Sequence, residues 1–525
     1  MPESVPNGRD ELPELFNIAV ACCDKWVEQG HGDRPAIHDG DEVISYGDLS
    51  ARVDRLGNGL ESLGLGPGDR YLIRLPATPD FYTAFLAGLK IGSVAIPTPL
   101  QLRERELRYI MTTARVRAVI TEETLADPIR SIRHEVPTLE HLVCLATGDR
   151  AEVELSSLVG SGDSRLVARR TTPNDPAFVL FSSGTTGVPK GIAHAHRGFG
   201  LAAGDPCGRF GMKLDPTDVV LQPHDPSWSY SLGCGFLFPL CEGASIVATH
   251  GMVRPENVLQ WVERHRVTIL GAVPTFYRAV LSRPGIEDTA DISSLRYCTS
   301  AGEPLTVNTF HEWRERMGVL VLDHIGQGET SMFCANTPGR AVVPGSVGRP
   351  LPGYRVAVLD DEGREVVGEV GELAIKDDNP ALFYDYLGMP ERWEATHRDG
   401  WYLTGDLARV DDEGNFWYVS RSDDLITSRG YLISPKEVED TLVDHPAVLE
   451  AAVVGQPDER IGQVVIAYVA LQAGYEPGPE LANELIDHAR KEIAPFKTPK
   501  RIEFLEELPK TPTGKILRRD LRLRG

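Results

Sequence analysis

Helical and strand patterns alternate along the chain from residue 46 to residue 321. Residues 46–63 carry apolar side chains at the spacing of an amphipathic helix. The short apolar runs 71–75 and 94–96 flank a second helical pattern at 80–91. Because parallel strands need crossover connections, which are usually helices, this alternation predicts an α/β architecture with mostly parallel sheets.

Two later regions depart from that pattern. Residues 345–418 contain short strands separated by turns such as Asp361-Glu362-Gly363, which predicts a small β-barrel or β-sandwich. Residues 422–525 combine helical and strand patterns and end in a basic tail. We therefore expect two domains, one of residues 1–421 and one of residues 422–525.

The charge balance excludes whole classes of function. The chain has 76 acidic and 54 basic side chains and a net charge of −22, so its surface repels nucleic acids and anionic lipids. The N-terminus lacks the pattern of a signal peptide, and no apolar run is long enough to span a bilayer. The eight cysteines include no C-x-x-C pair. We expect a cytoplasmic protein without disulfides.

A strand at 177–181 runs directly into Ser182-Ser-Gly-Thr-Thr-Gly-Val-Pro-Lys-Gly191. Gly184 and Gly187 let backbone N–H groups approach an anion closely, and the hydroxyl groups of the loop add further donors. Lys190 adds a positive charge. The run does not match the pattern G-x-x-x-x-G-K-[ST], so it predicts a polyphosphate-binding loop of another kind.

This loop resembles the signature loop of the adenylate-forming superfamily, which includes acyl-CoA synthetases, adenylation domains of peptide synthetases and luciferases. Further motifs follow in the order of that superfamily: Gly326-Gln-Gly-Glu329-Thr330, Tyr402-Leu-Thr-Gly-Asp406, Arg421-Ser-Asp423-Asp424 and Pro509-Lys-Thr-Pro-Thr-Gly-Lys515. The resemblance covers nearly the whole chain. It implies a large N-terminal domain of two α/β subdomains plus a small β-barrel, followed by a small, mobile α+β C-terminal domain.

The resemblance also implies ATP, Mg²⁺ and coenzyme A. The residues that it places around ATP or AMP are Ser182, Ser183, Gly184, Thr185, Thr186, Gly187, Lys190, Ala301, Gly302, Glu303, Gly326, Gln327, Gly328, Thr330, Asp406 and Arg421. Asp406 would accept hydrogen bonds from both ribose hydroxyls, a bidentate and charge-assisted contact. Arg421 would face the ribose, and residues 300–303 would flank the adenine.

Catalysis is assigned by the same resemblance to Lys515, Glu329 and Thr185. Glu329 would hold Mg²⁺, because a carboxylate beside ATP phosphates needs a bridging cation. Lys515 would bind the acid carboxylate and the α-phosphate. Lys510 is interpreted as a solvated neighbour. The family usually has Thr where this chain has Gly328, so we expect Thr330 or the backbone to supply the α-phosphate contact.

The C-terminal motifs concern coenzyme A. Asp423 resembles the hinge between the two domains. Arg429, Gly430 and Tyr431 resemble the loop that lines the pantetheine tunnel. Many relatives carry a phosphate-contacting Arg where this chain has Leu432. Either that contact is absent or Arg429 replaces it.

The acid pocket is expected around Trp228-Ser-Tyr-Ser-Leu-Gly233, which resembles the pocket helix of the benzoate and aminobenzoate CoA-ligase branch. The predicted pocket consists of Trp228, Tyr230, Gly233, Val273, Ser300 and Ile325. Tyr230 and Gly233 share a face of a helix, so an aromatic ring would stand beside a gap. Residues 228–240 contain no Lys or Arg, so the far end of the acid should be uncharged.

These observations predict an AMP-forming acid–CoA ligase that acts through an acyl adenylate on benzoate or a substituted benzoate. The alternatives are a ligase for short-chain, medium-chain or branched hydroxy acids, an adenylyltransferase that loads a separate carrier protein, and a non-catalytic acyl-nucleotide-binding protein. Small molecules are the expected partners, without nucleic acid or a membrane span, and a homodimer stays open.

Overall fold

The computed structural model describes residues 12–145, 153–154, 165–182, 189–203, 211–249, 253–422, 424–428, 431–458, 461–510 and 516–524. The α-helices of this part of the chain are α1 (Lys25–Glu28), α2 (Tyr46–Ser62), α3 (Pro79–Lys90), α4 (Glu104–Thr113), α5 (Asp127–Ile132), α6 (Ser229–Leu232), α7 (Phe238–Cys241), α8 (Pro255–His265), α9 (Pro274–Leu281), α10 (Val307–Met317), α11 (Pro390–Thr396), α12 (Pro435–Val443), α13 (Pro479–Glu492) and α14 (Arg518–Arg522).

The strands follow in the same way. They are β1 (Pro35–Asp39), β2 (Glu42–Ser45), β3 (Arg70–Arg74), β4 (Val94–Pro97), β5 (Ala118–Glu122), β6 (His141–Leu145), β7 (Val153–Glu154), β8 (Pro176–Ser182), β9 (Lys190–Ala195), β10 (Val219–Leu221), β11 (Ser245–Val247), β12 (Ile269–Ala272), β13 (Tyr297–Ser300), β14 (Val321–Gln327), β15 (Ser331–Ala335), β16 (Arg349–Pro350), β17 (Val356–Leu359), β18 (Val370–Lys376), β19 (Asp385–Tyr386), β20 (His397–Arg398), β21 (Trp401–Val410), β22 (Phe416–Arg421), β23 (Ile426–Ser428), β24 (Tyr431–Ile433), β25 (Val448–Asp458), β26 (Gly462–Leu471) and β27 (Arg501–Phe504).

Two large sheets are mostly parallel. Sheet I has the order β19-β9-β8-β4-β3-β5-β6-β7, and its strands from β8 to β7 are parallel. Sheet II has the order β16-β15-β14-β13-β12-β10-β11-β1-β2, and its strands from β14 to β1 are parallel. The α/β architecture expected from the alternating pattern is therefore confirmed.

Helices α2 and α3 contribute to a core shared by the two sheets. Leu49 and Phe85 on these helices belong to the same buried cluster as Tyr71 of sheet I and Ile37 of sheet II. The start of α2 is set by Ser45, whose hydroxyl accepts a hydrogen bond from the backbone N–H of residue 48. The Asp48 carboxylate accepts a hydrogen bond from the Ser45 backbone N–H in return, so this helix begins with a capping box.

Two smaller sheets follow. Sheet III (β17-β18-β21-β20, with β22 on β21) is antiparallel and, in the described residues, open rather than a closed barrel. Sheet IV (β24-β23-β26-β25, with β27 on β26) is formed wholly by residues after Arg421. Helices α12 and α13 cover one face of sheet IV and α14 packs on the other. Searched over the same residues, the helices include none that is long and apolar enough to cross a membrane.

Candidate functional site

A cavity of about 1080 Å³ lies where the four sheets meet. Its lining combines residues from all of them, including Ser182, Lys190, Ile325, Gln327, Glu329, Asp406, Arg421 and Glu450. Binding sites are commonly large concavities in which a few polar groups converge on an otherwise apolar wall. The motifs of distant sequence segments therefore meet around one space.

Lys190 and Glu329 form an ion pair inside this cavity. Lys190 begins β9, opposite Ser182 at the end of β8, and Glu329 stands in the turn between β14 and β15. Lys190 Nζ lies 2.5 Å from Glu329 Oε1, which also accepts a hydrogen bond from the Tyr386 hydroxyl at 2.7 Å. Burial alone would raise the pKa of the Glu329 carboxyl, but the Lys190 ammonium and these hydrogen bonds lower it to about 2. The carboxylate is therefore ionised.

The turn before Glu329 is shaped by Gly328. Its carbonyl accepts a hydrogen bond from His194 Nε2 at 2.7 Å, and a Cβ atom there would lie 2.7 Å from Ile192 Cδ1. The structure does not bring Thr330 to the cavity, contrary to one of the two expectations for the α-phosphate contact. Its side chain is fully buried and donates its hydroxyl hydrogen bond to the Ser331 carbonyl at 2.8 Å. Of the two, only Gly328 lines the cavity in the described part of the chain.

A second polar cluster surrounds Asp406. This residue pairs with Arg421 across strands β21 and β22, and Arg421 Nη1 lies 3.0 Å from Asp406 Oδ1. Gln327 Nε2 also donates to the Asp406 carboxylate, and Tyr402 donates its hydroxyl hydrogen bond to Gln327 Oε1 at 3.1 Å. Gly405 has a φ of +70°, and a Cβ there would lie 3.0 Å from Arg421 Nη2. The tight turn therefore favours glycine at that position.

Ala301, Gly302 and Glu303 also line the cavity. The Glu303 carboxylate is held by the N-terminus of α9, because it accepts hydrogen bonds from the Thr275 backbone N–H and hydroxyl. Arg278 Nη2 lies 3.3 Å from the same carboxylate. Glu303 therefore fixes this wall of the cavity to helix α9.

The aromatic end of the cavity is formed by Trp228, Tyr230 and Ile325. The rings of Trp228 and Tyr230 meet edge to face, with centroids 5.3 Å apart and planes at 77°. Tyr230 and Thr299 share a hydrogen bond of 2.7 Å between their hydroxyl oxygens. Burial raises the pKa of the Tyr230 phenol well above its usual range, so this group stays protonated.

Three predicted pocket residues are not among the residues that line the cavity in the described chain: Gly233, Val273 and Ser300. The gap expected at Gly233 is already filled, since a Cβ there would lie 2.9 Å from Ser331 Oγ and 3.0 Å from the Phe238 ring. Val273 precedes α9, and its N–H donates to His224 Nε2 at 3.3 Å. Ser300 is fully buried on β13.

Residues after 421 close the cavity from the other side. Glu450 lies 2.8 Å from Lys510 and 4.0 Å from Arg278. Lys510 is therefore paired and largely buried, which corrects the interpretation of it as a solvated neighbour. It also forms a β-bridge with Ile516, and the two residues flank the predicted catalytic loop. Nothing in the sequence pattern marked Glu450, because it lies at the start of an apolar strand pattern.

Several predicted site residues lie outside the described residues: Ser183, Gly184, Thr185, Thr186, Gly187, Asp423, Arg429, Gly430 and Lys515. Of the predicted coenzyme A loop, Tyr431 is described. Its exposed ring stacks on Phe496 with centroids 4.3 Å apart and is not among the residues that line the cavity.

Sequence analysis also missed Asp323 and His324, which line the cavity from β14. Burial raises the pKa of the Asp323 carboxyl to about 7, although the nearby Ser300 hydroxyl opposes this. Burial lowers the pKa of the His324 ring to about 4. Two polar residues inside an otherwise apolar strand were the available sequence clue.

Family models match both parts of the chain. The model of the AMP-binding enzyme covers residues 23–386, and that of the AMP-binding enzyme C-terminal domain covers residues 437–515. The chain belongs to the AMP-binding enzyme family. The resemblance to the adenylate-forming superfamily is thereby confirmed.

Relatives of this family member carry two kinds of name. Benzoate–CoA ligase from Thauera aromatica is 37% identical over 98% of this chain and 97% of its own length. Acyl-coenzyme A synthetase ACSM3, mitochondrial, from Mus musculus is 33% identical over 98% of this chain and 91% of its own length. The expectation of an acid–CoA ligase agrees with both names.

Solved structures share the whole arrangement. The anthranilate CoA ligase AuaEII in complex with anthranoyl-AMP is 32% identical, with a TM-score of 0.91, over 98% of both chains. ATP-bound MatB from Rhodopseudomonas palustris is 28% identical, with a TM-score of 0.87, over 97% of this chain and 98% of its own. The fold expected from the resemblance is confirmed.

Proposed function

We propose that this AMP-forming acid–CoA ligase acts on an aromatic acid, benzoate or a small substituted benzoate. The observation that carries the proposal is the single cavity that joins the Lys190–Glu329 pair, the Asp406–Arg421 pair and the Trp228–Tyr230 wall. The polar pairs suit a nucleotide, and the aromatic wall suits a flat ring. Acid and ATP would thus meet in one space, as adenylation requires.

The two polar clusters would bind different parts of the nucleotide. Asp406 would accept hydrogen bonds from the ribose hydroxyls, and Gln327 and Arg421 hold its carboxylate in place. Lys190 would donate to the phosphates, and the backbone of Gly328 would lie beside them in place of the usual threonine. ATP binding by this site is consistent with the ATP-bound neighbour MatB.

The donor set at Glu329 fits Mg²⁺. Its carboxylate is ionised, lines the cavity and is only 2% exposed. The described residues contain no group of three or more His, Cys, Asp or Glu side chains that could hold a metal ion. Mg²⁺ commonly uses one or two carboxylates together with substrate phosphates. Such an ion would neutralise charge on the phosphates, and Glu329 would orient it.

The C-terminal residues would supply the second half of the chemistry. Lys515 would bind the acid carboxylate and the α-phosphate during adenylation. The coenzyme A thiolate would then displace AMP after the small domain, residues 422–525, rotates about Asp423. Arg429, Gly430 and Tyr431 would come to the site in that second arrangement. The exposure of Tyr431 here is consistent with such an exchange.

An alkyl acid is the second candidate. Its support is that the mitochondrial acyl-coenzyme A synthetase is about as similar to this chain as the benzoate ligase is. An alkyl chain needs a long apolar tunnel, whereas Trp228 and Tyr230 present ring edges and faces. The aromatic wall therefore favours the aryl acid. A cytoplasmic location and a homodimer stay predictions.

One assay decides between these functions. Purified protein with ATP, Mg²⁺ and coenzyme A is given benzoate, 2-aminobenzoate, acetate or octanoate, and AMP and the CoA thioester are quantified. We expect the highest kcat/KM for an aryl acid. Preference for octanoate would overturn the aryl assignment. Acid-dependent ATP–pyrophosphate exchange without formation of a CoA thioester would identify an enzyme that loads a carrier protein. Binding of acid and nucleotide without turnover would identify a non-catalytic protein.

A further inference from the structure

His324 is a buried imidazole on the cavity wall, and its ring has no hydrogen-bond partner among the residues that the structure describes. It is 2% exposed and lines the cavity. Neither of its ring nitrogens makes a hydrogen bond with any described residue. Burial lowers its pKa to about 4, and the nearby backbone of Asn336 opposes this shift. The ring is therefore neutral near pH 7 and offers one donor and one acceptor.

The strand ladder places His324 on the face of β14 that Tyr230 approaches. The Tyr230 hydroxyl bonds Thr299 on β13, and Thr299 pairs with Leu322 on β14. His324 follows two residues later, on the same face of β14, about 6.6 Å along the strand. Helix α6, which carries Tyr230, packs against β14. The imidazole and the Tyr230 side chain therefore both line the same cavity, and Tyr230 meets the sheet on the face that carries His324.

Gly211 lies close to the ring. A Cβ atom at Gly211 would lie 3.6 Å from His324 Cε1. The imidazole therefore packs near this backbone and also lines the cavity. A buried polar group without a partner is costly, so such groups normally find one in the protein, in water or in a ligand.

We propose that His324 is a specificity-determining residue that hydrogen-bonds a hydroxyl or amino substituent of the acid. The inference rests on the proposed function and narrows it: the substrate class is the hydroxy- or aminobenzoates rather than plain benzoate. An unsubstituted ring or an alkyl chain would cover the imidazole and leave its nitrogens unpaired. A second carboxylate is disfavoured as well, because a neutral imidazole gives a buried anion no counter-charge.

The test compares matched acids on the wild-type enzyme and on variants. Benzoate, its hydroxy and amino derivatives at positions 2, 3 and 4, and octanoate are compared by kcat/KM for AMP and CoA-thioester formation. We expect at least one substituted acid to exceed benzoate by about tenfold or more. His324→Leu should lower that substituted-to-benzoate ratio by about tenfold or more, and His324→Gln, which keeps hydrogen-bonding groups, should restore part of it.

The control is another buried histidine. His196 is fully buried and is not among the residues that line the cavity in the described chain, so His196→Leu should leave the acid ratio unchanged. Wild-type preference for benzoate over every substituted acid would overturn the role of His324, as would an unchanged ratio in His324→Leu. If that variant does not fold, the wild-type ranking alone decides. Absence of AMP release with every acid would refute the proposed function as a whole. Preference for octanoate would refute only the assignment of an aromatic acid as substrate.

Discussion

Lys190 Nζ lies 2.5 Å from Glu329 Oε1, although 139 positions separate the two residues in the sequence. Two sheets bring them together, because β9 begins at Lys190 and the turn after β14 carries Glu329. Each charge neutralises the other inside the cavity. A magnesium–triphosphate complex offers both groups a replacement partner of the right sign, phosphate for the ammonium and metal for the carboxylate.

Glu329→Gln tests the metal role of this pair. The amide keeps the shape of the side chain and removes its charge. We expect ATP-dependent activity to fall by about 10²–10³ or more, with only partial rescue by added Mg²⁺. AMP release is measured across a Mg²⁺ titration, with Glu312→Gln on the surface of α10 as control. Unchanged Mg²⁺ dependence would exclude Glu329 as a metal ligand.

The same substitution should change how stability depends on pH. The pKa of Glu329 in the folded state is about 2, below its ordinary value of 4.5. The ionised carboxylate therefore contributes to the free energy of unfolding above pH 4.5, and this contribution is lost as the pH falls toward 2. We expect Glu329→Gln to lower the free energy of unfolding at pH 7 by about 1–3 kcal/mol. The difference should narrow as pH falls from 5 to 3.5 in urea unfolding experiments. A constant difference would contradict the depressed pKa.

Sequence patterns predicted the architecture because the long-range contacts of parallel sheets leave local traces. The spacing of apolar residues predicts buried strands such as β8 and amphipathic helices such as α2. The segment after Leu322 was harder: β14 continues through polar residues to Gln327 because β15 supplies an antiparallel partner. That pairing is non-local, and local apolar patterning does not record it.

The predicted acid pocket also combines residues that the motif indicated with packing contacts that it did not. The aromatic residues of Trp228-Ser-Tyr were expected from the motif, and they line the cavity. The space beside Gly233 was inferred from helical spacing, but the residues that occupy it, Phe238 and Ser331, come from the next helix and from β15. Which neighbour fills a gap depends on packing between elements, so spacing alone could not predict it.

Gly405→Ala is expected to weaken ATP binding. The residue has a φ of +70°, and an added Cβ would lie 3.0 Å from Arg421 Nη2. Gly414→Ala is a matched control, since its φ is +80° and nothing lies within 4 Å of the added atom. Both variants should lose about 1–2 kcal/mol of stability from backbone strain. Only Gly405→Ala should raise the KM for ATP, by about tenfold for about 1.4 kcal/mol of lost contact. Equal KM values would argue against the ribose role of this cluster.

Gly233→Leu distinguishes a pocket with open space beside Gly233, as helical spacing suggested, from one in which Phe238 and Ser331 fill that space. Since Ser331 Oγ and the Phe238 ring already lie 2.9 and 3.0 Å from the Cβ position, we expect overpacking that lowers the free energy of unfolding by about 1–3 kcal/mol. Activity should fall for all acids alike. Gly66→Leu, where the added atom meets nothing within 4 Å, is the control. A stable variant that loses only aryl acids would restore the interpretation made from helical spacing.

Glu450→Gln tests whether the small domain is held in place for adenylation. Glu450 is 5% exposed. It lies 2.8 Å from Lys510, which precedes the segment that contains Lys515, and 4.0 Å from Arg278 on the other side of the cavity. Removing its charge leaves both cations with weaker partners and loosens the contact across the domain boundary. Rotation of the small domain would break the contact between Glu450 and Arg278. Thioester formation, which follows that rotation, should therefore not depend on this contact.

We therefore expect Glu450→Gln to slow acid-dependent ATP–pyrophosphate exchange by about tenfold, which corresponds to about 1.4 kcal/mol in the barrier. Thioester formation from supplied acyl-AMP should be unaffected. Lys515→Ala should show the same split more strongly. The control is Glu437→Gln, whose ion pair with Lys497 at 2.5 Å lies entirely within the small domain and should not separate the two rates. Equal losses in both half-reactions of Glu450→Gln would show that the residue supports folding alone, because only a contact specific to the adenylation arrangement can slow one rate and spare the other.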